Sequence, residues 1–128
     1  RNITFFIFTL LASLSALSAA DLKSGPMIGH TSTFEATIWL QTTEAATAQV
    51  RYWLIDQPEM SFLTDPVKTS KSDAFIANCI ADQLESGQTY AYEVLIDGTP
   101  IALQFREGYK KQGNIPLTFQ SARLWRFR

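Results

Sequence analysis

The stretch "LESGQTYAYEVLIDG", Leu84 to Gly98, decides the fold. From Thr89 onward its apolar side chains recur at every second position: Tyr90, Tyr92, Val94 and Ile96 share one side of an extended chain. Asp97–Gly98 then follows, a pair that tolerates positive φ at both positions and so predicts a tight hairpin turn. A helix would need a 3.6-residue period, and this stretch has none.

The same alternation runs through most of the chain. "TFEATIWLQT" places Phe34, Ala36, Ile38 and Leu40 on one face and Trp39 on the other. "AQVRYWLI" opposes Val50, Tyr52 and Leu54 to Arg51, Trp53 and Ile55, and "FIANCIADQL" aligns Phe75, Ala77, Cys79 and Ala81. "TPIALQF" returns with Ile101, Leu103 and Phe105. Pro58, Pro66, Gly87 and Pro100 separate these runs, while "DQPEMSFLTDP" and "REGYKKQGN" read as polar loops. Six or seven short strands without an amphipathic helix predict an all-β chain, an antiparallel β-sandwich of the fibronectin type III or immunoglobulin-like kind. Within it, Leu84 lies six residues before Tyr90 with Gly87 in the turn between. That is the pattern of a tyrosine corner, whose phenol bonds back to the connection between the sheets. Tyr90, Gly87 and Gly98 are therefore expected to be structural.

Residues 1–20, "RNITFFIFTLLASLSALSAA", read as a signal-peptide helix: one basic residue, an apolar run from Ile3 to Leu17, then small residues. Ser18 and Ala20 suit a cleavage site that leaves Asp21 as the mature N-terminus. The run is too short and too rich in Ser and Thr for a comfortable span, so membrane contact is expected only transiently, through the leader. The expected organisation is a leader at 1–20, a sandwich at 21–116 and a last strand or linker at 117–128. The product is expected to be exported, periplasmic or extracellular. Cys79 is the sole cysteine, cannot form an intrachain bridge, and sits in an alternating apolar run as a buried, inert thiol.

Chemistry is scarce. A dinuclear metal centre needs several His, Asp and Asn ligands at strand ends, and the chain has one histidine. No G-x-S-x-G elbow accompanies it, and Gly25 and Gly29 form no phosphate loop. In "SGPMIGH", Ser24 to His30, Gly and Pro set a bend at a strand entry, and His30 is expected to satisfy backbone groups there. No catalytic, cofactor-binding or metal-ligating residue is expected. A net charge of −1 gives no reason to expect nucleic acid or an anionic membrane as a partner. Trp39 and Trp53 point away from the expected core. They are covered by the chain's own loops or tail, or they form a docking surface. Trp125 and Phe127, among the arginines of "LTFQSARLWRFR", are candidates of the same kind for contact with another domain. A chain stopping at "WRFR" reads as a fragment.

The blocks "SGPMIGHTSTFEATIWLQT", "AQVRYW", "LESGQTYAYEVLIDG" and "LTFQSARLWRFR" together resemble the N-terminal domain of PhoD-like alkaline phosphatases and phosphodiesterases. The resemblance implies a non-catalytic sandwich followed by a metallophosphoesterase domain, a phosphoric ester hydrolase of the alkaline phosphatase D type using iron and calcium. The partner it implies is the chain's own downstream catalytic domain. It transfers no catalytic residue to any position here. The competing expectation is a free-standing secreted module for adhesion or carbohydrate binding. A third reading, a complete small hydrolase, is nearly eliminated by the residue inventory.

Overall fold

The computed structural model describes residues 19–101 and 117–123. The expected leader helix, the loop "REGYKKQGN", Leu103, Phe105, Trp125 and Phe127 fall outside them. Among the described residues nine strands run in order: β1 Leu22–Thr31, β2 Ala36–Thr42, β3 Thr47–Leu54, β4 Ser61–Leu63, β5 Val67–Lys68, β6 Ile76–Ala81, β7 Thr89–Ile96, β8 Thr99–Pro100 and β9 Leu117–Gln120. The only helical turn among the described residues is a 3-10 turn at Lys71–Asp73. No helix among them is long and apolar enough to cross a membrane.

Every pairing is antiparallel, and the strands form two sheets. The first is β1-β2-β6. The second is four strands wide: β4 and β5 share one edge of β3, β7 pairs with its other edge, and β8 and β9 share the far edge of β7. The inner faces meet in one core, where Ile38, Leu40, Ala77 and Cys79 oppose Val50, Tyr52, Tyr90, Val94 and Phe119. This is the two-layer packing that alternating strands must adopt to hide one face each. Because β9 pairs with β7 from Thr89 to Tyr92 and Phe119 enters the core, residues 117–120 are an integral strand of the sandwich.

Local chemistry explains the strand boundaries. Gly25 has φ +90°, and a side chain there would press its Cβ to 2.9 Å from the Trp39 carbonyl oxygen, so the bend in β1 requires glycine. The register of β1 against β2 slips at this point, between Ser24 and Met27. Asp97 and Gly98 both have positive φ, +51° and +79°, as a type I′ hairpin demands. Asp97 also clamps Thr47: each backbone N–H donates to the other residue, at 2.9 Å to the Asp97 carboxylate and 2.9 Å to the Thr47 carbonyl.

Three expectations need correction. Phe34 is 63 % exposed rather than buried with Ile38, because the chain turns before β2 begins. The Ser32 hydroxyl accepts from the N–H groups of Phe34 (3.2 Å) and Glu35 (2.9 Å), which holds Phe34 in the turn. Phe75 is half-buried just outside β6, since Ala74 and Phe75 adopt left-handed backbone, at φ +53° and +58°. The loop "DQPEMSFLTDP" contains β4, which pairs with β3 from Arg51 to Trp53. Beyond the alternation, Ala91 and Leu95 on the outward face of β7 are buried as well. Ala91 is hidden between lateral neighbours, with Trp53 on β3 and Thr118 on β9.

Candidate functional site

A dense polar constellation lies where the chain crosses from β6 to β7. Tyr90 is 1 % exposed, and its phenol oxygen accepts the Glu85 N–H at 2.7 Å. A second phenol, Tyr52 on β3, accepts the Gln83 N–H at 3.2 Å. The two rings stand edge to face with centroids 6.0 Å apart, and Tyr90 stacks on Phe119 at 5.5 Å. One crossover is thus held by tyrosines from two strands, and burial pushes the Tyr52 hydroxyl above its usual pKa.

The end of β9 closes the same corner. The Ser121 hydroxyl accepts from the Gln88 N–H at 3.1 Å and donates to the Glu85 carbonyl. The Ser121 N–H donates to the Gln88 carbonyl at 3.0 Å, and the Gly87 N–H to the Ala122 carbonyl at 3.1 Å. Gly87 has φ +71°, and a Cβ added there would meet the Arg123 side chain at 3.0 Å. Tyr52 and Ser121 were not singled out by sequence reasoning. The available signal at Ser121 was its inward parity with Leu117 and Phe119, since a small hydroxyl at a core position needs a nearby backbone partner.

The tryptophans do not come together. Trp39 is partly buried on the outer face of the first sheet, between Met27 of β1 and Asn78 of β6. Trp53 is partly buried on the outer face of the second sheet, opposite Ser61 and Ala91. They lie on opposite sides of the sandwich, so a single patch built from both is ruled out. His30 is exposed on β1, and its imidazole bonds no group among the described residues, contrary to expectation. Cys79 is fully buried, and desolvation pushes its thiol pKa up to about 11, which leaves no thiolate near neutral pH.

Two clefts remain. One, of about 300 Å³, runs beside β6 and is lined by Glu35, Asp65, Val67, Asn78, Ile80 and Asp82. The other, of about 440 Å³, lies at the turn end, with Ile55, Asp56, Glu85, Gln88 and Arg123 in its walls. Among the described residues no three His, Cys, Asp or Glu side chains are arranged to hold a metal ion.

Comparison with known proteins agrees with this geometry. The sensor domain of the anti-sigma factor RsgI4 of Pseudobacteroides cellulosolvens overlays with a TM-score of 0.56 at 15 % identity, over 85 % of this chain and 93 % of that one. Its solution structure gives 0.53 at 13 % identity, over 81 % and 74 %. A structure of PhoD overlays with a TM-score of 0.50 at 13 % identity, over 59 % of this chain and 16 % of PhoD. At these identities the likeness is one of fold. No curated protein sequence matches the chain. A family profile described as "Domain of unknown function (DUF7800)" matches residues 19–113, most of the chain and nearly all of the sandwich. The chain belongs to the DUF7800 family.

Proposed function

We propose that this sandwich is the non-catalytic N-terminal module of an exported PhoD-like phosphatase or phosphodiesterase, and that a downstream metallophosphoesterase domain hydrolyses the phosphate ester. The overlap with PhoD carries the reading: it engages 59 % of this chain but only 16 % of PhoD, the proportion expected of one module in a larger enzyme. The resemblance of "SGPMIGHTSTFEATIWLQT" and "LTFQSARLWRFR" to that family supports it independently. Iron and calcium do not fit the described part of this domain, where no ligand cluster exists and the sole histidine is exposed. In this proposal the metals belong to the downstream domain. The module's own task is to pack against that domain.

The test is to read the gene past Arg128, express the product and assay it with an aryl phosphate in the presence of iron and calcium. Metal-dependent turnover is expected from the longer protein and none from residues 21–128. A stop codon directly after Arg128, or an inactive metal-loaded product, would refute the proposal. A stop codon would instead favour a second reading, a free-standing exported binding module. That reading draws on the RsgI4 sensor domain, which this chain covers almost end to end.

A further inference from the structure

Among the described residues three of the six large exposed apolar side chains stand in turns, while the other three, Met27, Leu63 and Ile80, stand on strands. Phe34 sits in the β1–β2 turn, while Ile55 and Met60 sit in the β3–β4 turn, at 63 %, 48 % and 58 % exposure. Both turns close the same end of the sandwich as the β6–β7 crossover, because the Leu84 N–H donates to the Phe34 carbonyl and the Ile55 N–H to the Thr89 carbonyl. Turns are ordinarily built of small and polar residues, so three large apolar side chains in two neighbouring turns call for a partner.

The chain leaves the sandwich at this end. After β9 the Ala122 N–H donates to the Ser32 carbonyl at 3.0 Å, and Arg123 lines the cleft that also contains Ile55 and Glu85. From Arg123 to Arg128 an extended chain reaches at most about 18 Å. A domain that follows Arg128 must therefore begin close to these turns. We propose that this turn end, with Phe34, Ile55 and Met60 as its apolar contacts, is the docking surface for the domain that follows. The inference rests on the reading that such a domain exists, and it assigns the contact to the turn end instead of Trp39 and Trp53. Those two indoles lie on opposite outer faces. Apolar contacts beside the charges of Asp56, Glu85 and Arg123 also match the mixed character of interfaces between domains of one chain.

The two methionines are native probes. Met27, on the outer face of the first sheet, and Met60, at the turn end, are almost equally exposed in the sandwich, at 57 % and 58 %. In the full-length protein, hydrogen peroxide is expected to oxidise Met60 at least tenfold more slowly than Met27, read by peptide mass spectrometry. Maleimide labelling of Phe34→Cys is expected to be slowed by a similar factor relative to Ile80→Cys, with buried Cys79 as an internal control for folding. Equal rates at the two methionines, or protection of Met27 and not Met60, overturn the proposal. Phosphoesterase activity of the same preparation separates the two failures. An active protein with an unprotected Met60 sinks the docking surface alone. An inactive one with a protected Met60 keeps the surface and removes the phosphatase.

Discussion

Replacing Tyr90 with Phe isolates the bond that holds the crossover. The ring stays: Phe fills the same buried volume and keeps its stacking on Phe119. What is lost is the acceptor 2.7 Å from the Glu85 N–H. A hydrogen bond of this type contributes about 0.5–1.5 kcal/mol net. The bond is part-buried, so the cost falls near the middle of that range, about 1 kcal/mol. For a domain of this size that corresponds to about 4–8 °C in melting temperature. Tyr52→Phe is the internal comparison: its bond is longer, 3.2 Å, so a smaller loss of about 0.5 kcal/mol is expected. Since both phenols secure the same short connection, the double variant should depart from additivity by about 0.5 kcal/mol. Urea denaturation followed by tryptophan fluorescence gives all three values, provided the slope m is unchanged. An unaltered midpoint for Tyr90→Phe, or a larger loss from Tyr52 than from Tyr90, would refute the assignment of Tyr90 as the principal anchor.

Ser121→Ala removes an acceptor for Gln88 and a donor for Glu85 at a site 2 % exposed, and is expected to cost about 1–3 kcal/mol, measured by the same denaturation. Gly87→Ala forces a side chain to φ +71° and should cost about 1–2 kcal/mol. Adding Arg123→Ala should recover little of that, because the backbone conformation, not the 3.0 Å contact, dominates. Alkaline pH should destabilise the fold. The Cys79 thiol ionises near its ordinary 9.0 when unfolded but only at about 11 when folded, so the unfolded chain releases its proton first. Stability is therefore complete below pH 9 and declines as pH rises to 11, by about 2–3 kcal/mol for this group. Burial shifts Tyr52 and Tyr92 in the same direction. Cys79→Ala should flatten the decline by that share, and an identical pH profile for the variant would contradict it.

The sequence alone was enough for what local chemistry controls. Alternation named the core-facing residues of β2, β3, β6 and β7. Asp97–Gly98 marked a hairpin because two successive positive-φ positions admit few other residues. The Leu84–Gly87–Tyr90 spacing marked the crossover. What required the tertiary structure was everything set by which strand lies beside which. A period of two says that Trp39 and Trp53 point away from the core, but not that they belong to different sheets, and long-range register alone put them on opposite sides of the molecule. The same cause hid the second anchor, Tyr52, whose partner Gln83 is 31 residues away. It also hid β4, a strand only because β3 offers it an edge, and the gathering of Phe34, Ile55 and Met60 at one end. Parity along a strand is a property of neighbouring residues, whereas the faces and ends of a sandwich exist only once distant strands have paired.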